Sequence, residues 1–85
     1  MSYDELLRLP QWQRKRQLII ARDGGRCRHC GGRATLQVHH RQYHRLKTTG
    51  AFVAPWTYPA HLLLTLCATC HQKGHEHFKI PVFFI

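Results

Sequence analysis

At 85 residues the chain can form one small domain at most, and a domain of that length buries only about 60% of the surface its unfolded form exposes. A core alone leaves it marginal, so metals, disulfides or a partner are the usual staples, and four Cys with eight His put metal sites first. A net charge of +9, from 13 Lys and Arg against four Asp and Glu, exceeds what solubility requires and points to a polyanion as partner. No apolar run of about 18 residues is present to span a bilayer. Met1-Ser2-Tyr3-Asp4-Glu5 lacks the charged-then-apolar layout of a secretory leader, so the expected setting is soluble and cytoplasmic, with no membrane partner.

The charge is uneven: residues 1–48 hold eleven of the 13 basic residues and three of the four acidic ones, so that half should face the phosphates. Pro10 to Asp23 is predicted as a helix, with Pro10 suited to a first helical position and Gly24-Gly25 to its end. Trp12, Ile19 and Ile20 can share its apolar stripe, and Arg14, Lys15 and Arg16 then project mainly away from it. Those three charges form either a phosphate-binding edge or a solvated face, and the net charge favours the phosphate.

Next comes Cys27-Arg28-His29-Cys30, followed by Gly31-Gly32, a sequence for a tight knuckle. Ala34 to Val38 is a short strand-like run that ends on His39-His40. The stretch from Arg41 to Ala60 is predicted as a long loop, basic at its start, with Arg41, Arg45 and Lys47 as further phosphate contacts. It is aromatic at its end, where Trp56 and Tyr58 between two prolines either cover the core or stack on bases, core cover being the preferred reading. Leu62 to Leu66 is predicted as a second strand and residues 68–78 as a helix. The apolar tail Ile80-Pro81-Val82-Phe83-Phe84-Ile85 must be covered, either by packing back onto the first helix or by a dimer or partner contact. The chain thus divides into a basic N-terminal helix (1–25), a stapled core (26–78) and the tail (79–85), all in one domain.

The Cys27/Cys30 and Cys67/Cys70 pairs each have the two-residue gap that presents two thiolates to one ion, and together they make a four-thiolate zinc site. The rival, a disulfide framework, is disfavoured in a reducing compartment. Histidine supplies a second set. His71 and His75 lie four apart on one helix face, a ligand pair by geometry. Cys70 and His71 diverge by about 100° around the helix and should serve different ions. Neighbours in a strand point to opposite faces, so one of His39 and His40 can join that second ion while the other meets a substrate.

Taken together, His39-His40, Pro55-Trp56-Thr57-Tyr58-Pro59 and Cys67-Ala68-Thr69-Cys70-His71 resemble the HNH endonuclease family. The resemblance covers most of the chain and implies an α+β fold of the ββα-metal (HNH, or His-Me finger) type, stapled by zinc and preceded by an N-terminal helix. It further implies a phosphodiester hydrolase acting on DNA with one catalytic divalent ion (Mg, Mn, Ni or Zn); 85 residues leave almost no room for a separate recognition domain, so little sequence choice of its own is expected. In that reading His39, His71 and His75 ligate the catalytic ion, His40 is the general base, and Cys27, Cys30, Cys67 and Cys70 hold the structural zinc. The position of the motif's Asn, five residues before the third Cys, is Leu62 here, and the chain contains no Asn. That departure keeps a non-catalytic zinc module for nucleic acid as the alternative.

Overall fold

In the computed structural model, which describes residues 2–85, the chain is a small α+β domain of three helices and two two-stranded sheets. Helix α1 (Tyr3–Leu6) is one turn, closed by a capping box in which Ser2 accepts the Glu5 amide and Glu5 reaches back. Helix α2 (Pro10–Arg22) begins at its proline, as expected, and Asp23 caps its end. Its buried stripe is Trp12 and Ile19, and Asp23, four residues beyond Ile19, continues it.

Strand β1 (Leu36–His40) pairs antiparallel with β3 (Leu63–Cys67), from Leu36 opposite Cys67 to His40 opposite Leu63. The His pair therefore closes the strand, as expected. Strand alternation puts Val38 and His40 on the face covered by α2, and Gln37 and His39 on the other. Helix α3 (Ala68–His77) follows β3 without a loop, with Cys67 as its N-cap residue. Trp12, Ile19, Val38, Tyr58 and Leu63 form the core between α2 and the sheet, with Trp56 packed at its margin.

Two expectations fail. The stretch from Arg41 to Ala60 is not a bare loop: it contains β2 (Tyr43–Arg45), a turn at Gly50 with φ of +74°, and a 3-10 turn at Pro55–Thr57. The tail does not pack onto the first helix. Its β4 (Val82–Phe84) lies parallel to β2, and Ile85 donates its amide to the Arg45 carbonyl at 2.8 Å. An apolar strand at the chain end finds the open edge of β2 because both need backbone partners. Phe83 and Phe84 nevertheless keep about half their surface exposed, at 48% and 56%.

One buried charge organises the centre. Asp23 accepts two bonds from Arg22 at 2.9 and 3.0 Å, one from Arg28 at 2.9 Å and the Thr65 amide at 2.9 Å. Arg22 in turn donates to the Ala60 and Leu63 carbonyls, each at 2.7 Å. Burial alone would raise the Asp23 carboxyl, but the Arg22 guanidinium, the Thr65 amide and Arg28 hold it well below the usual carboxylate range. The folded pKa lies below the unfolded value of about 3.9, so the stabilisation is full well above pH 4 and is lost as pH falls from there. Asp23→Ala should cost about 2–3 kcal/mol in urea unfolding of the zinc-loaded protein at pH 7. That is less than for a wholly buried pair, because both arginines touch water. It should also flatten the acid limb of the stability curve; an unchanged acid limb would contradict the assignment.

Candidate functional site

The two cysteine pairs meet. Cys27, buried after the end of α2, opens a knuckle closed by its own amide on the Gly32 carbonyl at 2.7 Å, with Gly31 at a φ of +79° that a side chain would strain. Cys67 and Cys70 come from the β3–α3 junction. All four thiols are free, their sulfurs lie within 4.8 Å of one another, and Cys30 and Cys67 are 3.7 Å apart. A tetrahedral zinc with Zn–S of about 2.3 Å needs sulfurs about 3.8 Å apart. Backbone amides point at the sulfurs: His29 at 3.4 Å and Cys30 at 3.5 Å donate to Cys27, and Cys70 at 3.5 Å donates to Cys67. Burial raises the Cys27 thiol, yet the amide donors bring it down to about 6, while the neighbouring sulfurs, Cys67 first, push Cys70 up to about 12. Sulfurs this close resist joint ionisation, and a divalent cation such as zinc removes that obstacle.

The second set also assembles. On the sheet face opposite the core, β1 carries His39 against α3, whose His71 and His75 rings lie 5.0 and 5.5 Å from it between centroids. One ring nitrogen from each of the three falls within 4.8 Å of the others, and the Nε2 atoms of His71 and His75 are 3.0 Å apart. His71 Nδ1–H donates to Gln37 Oε1 at 2.6 Å, which leaves the lone pair on the Nε2 that faces His75. The His39 Nδ1 atom is buried with no hydrogen-bond partner. Burial first, then the other histidines, lower the His39 pKa to about 4, so its ring is neutral near pH 7 and able to ligate. The chemistry of the donors fits a divalent ion with open positions.

His40 occupies the other face. Its ring stacks on Trp12 at 5.1 Å and meets Tyr58 edge-on at 4.8 Å, leaving it 4% exposed. Nε2 faces the Pro55 carbonyl at 3.5 Å and the Tyr3 hydroxyl at 3.4 Å. Desolvation outweighs the Pro55 bond and lowers its pKa to about 4. A cavity of about 260 Å³ runs past the free edge of β1, and both His40 and His71 line it, with Tyr3, Trp12, Arg16 and Gln37.

The basic residues divide. Arg14 and Lys47 are exposed, as is Arg41 at the end of β1. Arg16 does not project away from the stripe as expected: four residues after Trp12, it shares the buried side, and it donates to the Leu36 carbonyl at 2.8 Å. Lys15 beside it is half-buried. Arg45 is engaged within the fold, bonded to the Gly50 carbonyl and lying 4.7 Å over the Phe52 ring. Leu62, in the place of the motif's Asn, packs against the core, and the neighbouring His61 is exposed. Sequence reasoning missed Gln37, although its position two residues before His39 puts it on the same strand face. It also missed Tyr3, for which no local signal exists. No family model matches the chain, and neither the curated proteins nor the solved structures yield a match.

Gln37→Leu should weaken divalent-ion binding at the histidine set by 10- to 100-fold, as loss of an orienting partner does, while the four-cysteine site keeps its ion. Titration with Co²⁺ separates the two, because thiolate and imidazole sites absorb differently. Equal Co²⁺ affinity in both proteins would show that Gln37 orients nothing.

Proposed function

We propose that the chain is a metal-dependent endonuclease that hydrolyses DNA phosphodiester bonds. The observation that carries this reading is the cavity at the free edge of β1, lined by the buried imidazole of His40 from one sheet face and by His71, one of the three clustered imidazoles, from the other. Phosphodiester hydrolysis needs those two functions side by side: a group that takes a proton from water, and one that holds cationic charge near the phosphate.

His40 takes the water's proton. Where Nε2–H donates to the Pro55 carbonyl, the lone pair is on Nδ1, and burial keeps the ring neutral near pH 7. His39, His71 and His75 would hold a divalent ion, which would supply Lewis acidity when bound. Arg16 lines the same cavity, and the part of its guanidinium not bonded to Leu36 adds positive charge beside the reacting phosphate. Arg14, Arg41 and Lys47, all exposed, draw the DNA backbone in without reading bases. Zinc held by Cys27, Cys30, Cys67 and Cys70 would be structural, because four thiolates leave no open position.

The second reading, a zinc-stapled module that binds nucleic acid without cutting it, is favoured by Leu62 in place of the Asn and by the cover of Tyr3 and Trp12 over His40. Nicking of supercoiled plasmid by the zinc-loaded protein with added Mg²⁺, Mn²⁺, Ni²⁺ or Zn²⁺ separates the two. The wild type should nick, and His40→Ala should be slower by about 10²–10⁴ with plasmid binding retained. Salt-sensitive binding by both proteins with no nicking in any metal would leave the module as the description.

A further inference from the structure

Beside the histidine set lies a larger concavity, about 820 Å³, between α3, the outer face of β3, the cysteine knuckle and the segment leading to β4. Its cations come from separate segments: Arg41 after β1, Lys73 on α3, Lys79 before β4, and Arg28 in the knuckle, whose charge is shared with Asp23. No Asp or Glu lines it, although Glu76 sits on the same helix. An anion is the complementary occupant. The floor is of another kind, formed by Leu64, Leu66 and Ile80, with the Phe78 ring at the rim, 74% exposed. A bare phosphate has no use for that floor, whereas a planar base attached to a phosphate matches both surfaces. The volume is in the range of sites that enclose a small molecule, and a duplex with its bases stacked inside cannot offer one to it.

We infer that this cleft binds single-stranded DNA, with phosphates on Arg41, Lys73 and Lys79 and an unstacked base against Phe78. A basic groove with an aromatic platform is the arrangement by which single strands are held without sequence choice. His39 also lines the cleft, so a strand lying in it leads toward the histidine set. The inference rests on the nuclease reading only for that last step, in which the cleft seats the nucleotides beside the scissile phosphate.

The test is fluorescence anisotropy of the zinc-loaded chain with labelled decathymidylate and with a hairpin duplex of matched length, no further divalent ion being added. Wild type should bind decathymidylate more tightly than the duplex. Phe78→Ala should weaken decathymidylate binding about tenfold and leave the duplex unchanged. Lys73→Ala with Lys79→Ala should lower the salt slope for decathymidylate by about 1.4. Zinc content and circular dichroism establish that each variant is folded. Duplex binding as tight as single-strand binding, or folded variants that bind decathymidylate like wild type, would overturn the cleft. Because binding is read without an activating ion, a protein that prefers single strands through Phe78 but never nicks plasmid refutes the nuclease reading alone. One that nicks while Phe78→Ala binds normally refutes the cleft alone.

Discussion

Everything in the site depends on one constraint: four sulfurs, two from a knuckle after α2 and two from the start of α3, must come within 4.8 Å of one another. A core of Trp12, Ile19, Val38, Tyr58 and Leu63 is small for a chain of 85 residues, and it touches α3 hardly at all, since α3 has no buried residue. A metal in the cysteine cluster would tie the first turn of that helix to the knuckle after α2, beside the helix's own contact with β1 through His71 and Gln37. The Asp23 carboxylate works beneath it, tying Arg28 in the knuckle and the Thr65 amide in β3 to the end of α2. Once α3 is fixed at its first turn, His71 and His75 fall opposite His39 through helix and strand geometry alone.

Alternation along β1 then divides the chemistry. His39 faces α3 and its imidazoles, while His40 faces the aromatic core, where Trp12, Tyr43 and Tyr58 surround it. Burial acts on both in the same sense by removing water from the charged form, so both rings are neutral near pH 7. Under the proposed reading neutrality would suit each differently: a ligand needs a free lone pair, and a base needs to be unprotonated before it acts. Tyr3 sits over His40 from a helix of one turn with no buried residue, held by aromatic contacts with Tyr43 and Phe52. That cover rests on exposed or half-buried rings rather than on a buried helix.

Much of this was legible in the residues. The helix from Pro10 and the spacing of the cysteines rest on local rules, and the His71/His75 pair rests on helical period; all three appear as expected. What escaped depends on contacts distant in sequence. Arg16, four residues after Trp12 and three before Ile19, lies on the stripe by helical period, and what a distant contact adds is its bond to the Leu36 carbonyl. Arg45 reads as a phosphate contact, but Phe52 and Phe84 arrive from either side of β2 to occupy it. The tail was recognisable as apolar, whereas its partner was not, because β2 has only three residues and a weak strand pattern of its own. Asp23 reads as a helix-end residue, and nothing local shows that four donors converge on it.

The central claim is that one small fold holds two ions in separate sites, one structural and one exchangeable. Metal content per chain, measured by native mass spectrometry after zinc loading and again after brief exposure to a mild chelator, tests it most directly. The account predicts two ions in the wild type, of which one survives the chelator, and one chelator-resistant ion in folded His71→Ala. A single ion in the wild type, or two in His71→Ala, would contradict it.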